Sequence, residues 1–239
     1  MMSAFSQFIT RVDNLSLRAF SGVGIHCRFD ETRYSELLFP AYEIELPAVL
    51  AAASNTRKAE FLAGRVAAKY ALTELGLMPD TIGIGKHRNP LWPHSVLGSI
   101  SHHRGNVFCL MMRRPVTGVL NIALGIDVES MMSLDDVMRL GASICSADER
   151  RLAAQHFSDQ TLSLTLIFSA KEALFKALYP LIGSYFDFLD VRVSGINIPR
   201  KELQLTLNRD LSSCLLRGQT MTAHWRETPK SVMTWVHPN

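Results

Sequence analysis

What this 239-residue sequence lacks excludes several kinds of protein. Its four cysteines, Cys27, Cys109, Cys145 and Cys214, are widely spaced and form no C-x-x-C pair. That argues against a disulfide framework or a cysteine zinc site, and suits reduced thiols in a cytoplasmic protein. No apolar run reaches about 18 residues, so no membrane span is expected. Residues 1–20 hold no sustained apolar stretch, so no signal peptide is expected. Charge of one sign is scarce too, with a net charge of +3. That balance suits an anionic ligand or an acidic partner and gives no case for nucleic acid. Also missing are the phosphate-binding loop G-x-x-x-x-G-K-[ST] and the nucleophile elbow G-x-S-x-G. GIGKHR (83–88) lacks the third glycine of a dinucleotide fingerprint.

What is present is an ordinary globular composition, 47% hydrophobic and 20% charged, enough to bury a core. The elements alternate. Residues 54–76 read as a helix, capped by Ser54, Asn55 or Thr56 and closed by Gly76. Strands are expected over 96–102, 106–112 and 119–129. Ser146 and Glu149 have the spacing of a capping box. A second long helix spans 161–178 and is expected to stop at Tyr179-Pro180, because the residue before proline avoids the helical region. Four more strands follow over 188–193, 203–207, 222–226 and 232–236. Each half thus holds one long helix and a group of strands. The fold class is α+β, with two similar subdomains, 1–118 and 119–239.

Three segments carry chemistry. In LGIDVES (124–130), strand alternation sends Ile126 and Val128 to one face and Asp127 and Glu129 together to the other. Two adjacent carboxylates repel unless a cation lies between them, and hard oxygens suit Mg²⁺. An exposed strand end with two solvated acids fits the same letters. In FSAKEALFKAL (168–178), Glu172 and Lys176 share a helix face one turn after Phe168, with Lys171 at its edge. The helix is apolar on most sides, so these charges need partners; a simple Glu–Lys pair is the plainer reading. Arg57, Phe61, Arg65 and Lys69 recur every four residues, with Lys58 adjacent. They form either a phosphate-binding stripe or a solvated face. Gly64 leaves room beside Arg65 for a ligand. Lys86, His87 and Arg88 add positive charge to the loop before Trp92, whose ring either stacks on a base or packs in the core. His102 and His103 end a strand, but no H-x-x-x-H or cysteine spacing supports zinc there.

Taken in order, these segments resemble the 4′-phosphopantetheinyl transferases of the surfactin-synthetase-activating type, in their enterobactin synthetase component D branch. G-x-D-x-E stands as Gly125–Glu129, and [WF]-x-x-K-E-[AS]-x-x-K as Phe168–Lys176. The branch pattern R-K-x-E-F-x-x-G-R stands as Arg57–Arg65. The P-x-W-P loop stands as Pro90–Pro93, and G-S-[IL]-[ST]-H as Gly98–His102. YFDF (185–188) extends the likeness. The departures are Phe168 where tryptophan is frequent and His103 where cysteine is frequent, so His103 is given no role.

The resemblance implies transfer of the phosphopantetheine arm from coenzyme A to a serine of an apo carrier protein (peptidyl, aryl or acyl), with adenosine 3′,5′-bisphosphate as the other product. It implies a pseudo-dimer of two similar α/β halves with coenzyme A in the cleft between them. Mg²⁺, or Mn²⁺, would be held by Asp127, Glu129 and Glu172. Asp127, Glu172 and Lys176 would be catalytic, Glu172 as the base for the carrier serine and Lys176 at the leaving phosphate. Lys171 would hold phosphate oxygens. Arg57, Arg65 and His102 would bind the nucleotide's phosphates, Lys58 and Ser101 would also contact coenzyme A, and Arg88 or Lys86 would lie near the adenine end. The partner carrier is expected to be acidic, and Met131, Met132, Leu134 and Met138 offer it an adaptable apolar surface, although an ordinary helix core reads the same. A monomer is expected. Two other readings keep the same residues: a different Mg²⁺-dependent phosphotransferase or nucleotide hydrolase, and a partner-binding module without activity.

Overall fold

The first element is a hairpin that the sequence does not announce. β1 (Ile9–Asn14) and β2 (Val23–Phe29) pair antiparallel and bury Ile25, Cys27 and Phe29. The computed structural model describes residues 7–79, 82–115 and 124–238. They divide into two compact units, Met1–Pro115 and Val116–Asn239.

In the first unit a short turn of helix, α1 (Leu38–Ala41), precedes α2 (Asn55–Glu74). Ser54 is the cap of α2, accepting the Arg57 amide at 3.2 Å. Gly76, with φ of +69°, turns the chain away at the other end. Next come a two-residue ladder, β3 (Gly83–Ile84) with β4 (Pro90–Leu91), and the long strands β5 (Val96–His103) and β6 (Asn106–Arg113). The sheet order is β1-β2-β6-β5, antiparallel throughout. α2 covers one face with Ala59, Leu62, Ala63, Val66 and Ala67. Gly64 lies against Ile100, where an added Cβ would sit 3.4 Å from the isoleucine side chain. Its bareness serves helix-on-sheet packing, not an approaching ligand. Trp92 packs against Gly98 and the same core, which settles it as a packing residue.

The second unit opens with β7 (Gly125–Ser130), then α3 (Leu134–Ile144), α4 (Ala147–Ala154) and α5 (Gln160–Ile182). The N-terminal part of the strand expected over 119–129 lies outside the described residues. The capping box at α4 forms as the spacing predicts. α5 overruns its expected end. Tyr179 and Pro180 are both helical, and the helix closes at Gly183 in the left-handed region, whose amide reaches the Tyr179 carbonyl at 2.8 Å. A proline in the last turn removes only one ladder bond, so the missing N–H costs the helix little there. The strands β8 (Val191–Asn197), β9 (Glu202–Leu207), β10 (Thr220–Thr228) and β11 (Ser231–Val236) complete an antiparallel sheet of order β7-β11-β10-β9-β8. Leu203, Leu205 and Leu207 are buried on one of its faces, under α5.

Candidate active site

Strand β7 lies directly on the backbone of α5, and a glycine makes that possible. A Cβ on Gly125 would sit 1.9 Å from the Ala173 carbonyl oxygen and 2.9 Å from the Ala177 nitrogen. Only a bare Cα fits, and small Ala173 and Ala177 complete the contact. Pleating then turns Asp127 to the same face. It is 3% exposed, and its Oδ1 accepts from Lys176 Nζ at 2.7 Å. Thr234, the register partner of Asp127 on β11, meets Ser169 of α5 at 2.9 Å, which fixes the helix over both strands.

The electrostatics follow from this packing. Burial pushes the Glu129 carboxyl up to about 7, with Asp127 adding to the rise, Lys176 opposing it and Glu172 adding again. Burial likewise raises Glu172, helped by Asp127 and opposed by Lys176. Three carboxylates therefore share one field with a single ammonium. Among the described residues, no three side chains of ligand type converge closely enough to enclose a metal ion. The donor set still has the chemistry of a hard divalent site. It offers only oxygens, and it carries more negative charge than Lys176 neutralises.

Lys171 changes its role. It is 2% exposed, with its ammonium 2.7 Å from Glu149 Oε1 and donating to the carbonyls of Ile144 (2.8 Å) and Phe188 (3.0 Å). Those three partners use the donors of the ammonium, so it holds no phosphate oxygen. Glu149, itself 2% exposed, also accepts the amides of Ser146 and Val193. The sequence offered Glu149 only as a cap; its link to Lys171 spans 22 residues and left no local trace.

In the first unit, the basic stripe separates into individual pairs. Lys58 is buried on Glu36 at 2.6 Å. Lys69 reaches the Tyr42 carbonyl and Glu43. Arg65 is buried over the Phe61 ring and donates to the carbonyls of Ile82 and Gly83, so it anchors the loop that follows. Burial pulls its pKa down to about 10. Lys58 and Arg65 are both buried, and the partners found for them are protein groups: Glu36 for Lys58, and the Ile82 and Gly83 carbonyls for Arg65. Ser101 is buried and alternates to the opposite face of β5 from His102. Lys86 and Arg88 are exposed on the turn before β4, with Arg88 at φ +67°.

Arg57 and His102, 45 residues apart, do meet: Arg57 Nη1 is 3.0 Å from His102 Nε2. Between them stands Glu60, a residue not singled out from the sequence. Its Oε2 lies 3.3 Å from Arg57 and its Oε1 lies 3.2 Å from His102 Nδ1. The spacing of Arg57 and Glu60, one helical turn apart, was the available signal.

Comparison with known proteins matches both parts of the chain. Residues 46–112 match the 4′-phosphopantetheinyl transferase N-terminal domain, and residues 123–230 match the 4′-phosphopantetheinyl transferase superfamily. Enterobactin synthase component D of Escherichia coli strain K12 is 34% identical over 219 residues, 90% of this chain and 93% of that one. The protein of the same name from Salmonella typhi is 34% identical over 187 residues, 78% of this chain and 74% of its own. The 4′-phosphopantetheinyl transferase Svp of Streptomyces mobaraensis is 36% identical over 152 residues, 64% of this chain and 58% of its own. The chain belongs to the 4′-phosphopantetheinyl transferases, enzymes that move the phosphopantetheine arm of coenzyme A onto carrier proteins.

Proposed function

We propose that Asp127, Glu129, Glu172 and Lys176 form the reacting centre of this transferase. The observation that carries the reading is the Gly125 contact, which sets Asp127 beside Lys176 on the face shared with Glu172. The carrier serine oxygen attacks the phosphorus that bears the pantetheine arm. The bond from that phosphorus to the bridging oxygen breaks, and adenosine 3′,5′-bisphosphate leaves. Glu172 takes the serine proton. Lys176 is the cation placed to meet charge on the leaving phosphate. Asp127, Glu129 and Glu172 would hold Mg²⁺, or Mn²⁺ on the same oxygens, and the ion would supply charge neutralisation for the diphosphate. In the first unit, Arg57 and His102 bind phosphate of the nucleotide, and Lys86 and Arg88 serve its adenine end.

The names of the enterobactin relatives support a carrier of siderophore or non-ribosomal peptide synthesis, with polyketide and polyunsaturated fatty-acid carriers as further substrates to try. No helix of the described residues is long and apolar enough to cross a membrane. A cytoplasmic monomer is the proposed working form. The carrier docks on α3, the helix after the acid strand, where Leu134 (64% exposed) and Met138 (77%) project one turn apart.

The test is to mix the protein with coenzyme A, Mg²⁺ and an apo peptidyl carrier, then weigh the carrier. A gain of about 340 Da that disappears in Asp127→Ala is the expected result. Coenzyme A cleaved to bisphosphate with no gain on several carriers would favour a nucleotide hydrolase. No binding of coenzyme A at all would overturn the assignment of every residue above.

A further inference from the structure

Glu60 touches both groups to which the first unit's phosphate binding is assigned, and the inference here rests on that assignment. The three side chains close a triangle, with Glu60 against Arg57 at 3.3 Å, Glu60 against His102 Nδ1 at 3.2 Å, and Arg57 against His102 Nε2 at 3.0 Å. The partners decide the tautomer. An ionised carboxylate only accepts, so Nδ1 carries a hydrogen. A guanidinium only donates, so Nε2 presents its lone pair. The resting imidazole is therefore neutral, with its proton on the side of Glu60. Burial alone would raise the Glu60 carboxyl, but the hydrogen bonds it accepts from His102 and Arg57, with the guanidinium charge beside it, outweigh burial and hold the group below its usual range.

A phosphate oxygen is an acceptor, and it gains nothing at Nε2 while that atom shows a lone pair. We infer that Glu60 is a positioning residue that couples coenzyme A binding to proton uptake: as phosphate takes over the Arg57 guanidinium, His102 Nε2 takes one proton from solvent and donates it in a hydrogen bond to the phosphate. Glu60, opposite on Nδ1, then faces an imidazolium and stabilises it, as carboxylates do for histidines that become charged during function. No covalent bond changes; one solvent proton is added per phosphate seated. Among the described residues, the charged groups facing His102 from α2 are Arg57 and Glu60. On β5 it is followed by His103, with Arg104 next in the chain, and its register partner on β6 is the apolar Val107.

The experiment is calorimetry of coenzyme A binding to the full chain at pH 7.5, in two buffers of different ionisation heat. The expected uptake is about one proton per coenzyme A. Glu60→Gln keeps an acceptor for Nδ1–H but removes the charge. It should cut the uptake at pH 7.5 by about half or more and raise KM for coenzyme A about tenfold, with kcat at saturation within about twofold. A purely structural Glu60 would lower thermal stability and leave the proton count unchanged, which would overturn the proposal. So would zero uptake by the unsubstituted chain, a measurement that does not depend on the variant folding. If that chain takes up no proton while His102→Ala still weakens binding, the phosphate assignment survives and the coupling fails. If neither His102→Ala nor Arg57→Ala alters affinity, the phosphate assignment itself fails, and the coupling with it.

Discussion

Lys171 and Lys176 stand five residues apart on α5 and end in different surroundings. Lys176 keeps a side chain 29% exposed and spans to Asp127 across the strand contact. Lys171 is closed in on all sides, with one carboxylate and two carbonyls around its ammonium. Truncating one partner of such a pair leaves the other charge buried and unpaired, and that loss exceeds the net worth of the pair. Lys171→Met should therefore destabilise the protein by about 3–5 kcal/mol in urea unfolding. Lys176→Met, which leaves the buried Asp127 without its ammonium, should also lower stability while abolishing transfer. A Lys171→Met protein as stable as its parent would refute the structural role. A destabilised protein that still transfers the arm at low temperature would show that Lys171 takes no part in the chemistry. The same reasoning explains why the motif alone misassigned it: K-E-A-x-x-K states that two lysines are present, and nothing in its six positions says which one meets a glutamate 22 residues upstream.

At the scale of elements, the acid centre exists because a strand is pressed onto a helix. The Cβ that Gly125→Ala would add cannot be placed 1.9 Å from a carbonyl oxygen, so β7 or α5 must move. Overpacking of this kind costs about 1–3 kcal/mol. The shift would separate Asp127 from Lys176, and misplacement by about 1 Å can cost about a hundredfold in rate. Gly125→Ala is thus expected to fold with a lowered Tm and to lose about two orders of magnitude in kcat. Full activity in the alanine variant would mean that the close contact does not set the geometry. Much of this arrangement was legible. Periodicity gave α2, α5 and seven of the strands, because an amphipathic element carries its pattern within its own residues. The β1–β2 hairpin was not legible: its strands mix Arg11, Asp13, His26 and Arg28 among the apolar residues, and its place beside β6 is a long-range pairing. The end of α5 was misplaced because Tyr179-Pro180 is a breaker only where the lost bond cannot be tolerated, and the last turn tolerates it. The triangle of Arg57, Glu60 and His102 needed the register of β5 against α2, which no local pattern contains.

For the molecule as a whole, two cores of separate composition stand behind two kinds of site. The first unit packs around Phe8, Leu62 and Val66, the second around Leu166, Leu174 and Leu205. The net charge of +3 favours an acidic partner in general without choosing a surface. Local exposure does choose. Of the four apolar residues after the acid strand, Met131 and Met132 pack on the core of the second unit, and the Met132 amide donates to Thr165 Oγ1. Val137 and Leu140 turn inward as well, while Leu134 and Met138 face out. A charge at Met132 would disturb the core and give no clean measure of docking. The informative change is Met138→Glu, which alters one exposed side chain and adds the same sign of charge that an acidic carrier presents. If α3 receives the carrier, KM for the carrier should rise about tenfold or more, as expected when an apolar interface anchor is lost and a like charge is added, while coenzyme A affinity and Tm stay within error. Raising the salt concentration should recover part of the loss, because it screens the repulsion but cannot restore the apolar contact. An unchanged carrier KM would remove α3 from the interface, and an equal loss of coenzyme A affinity would mean that the substitution acts through the fold.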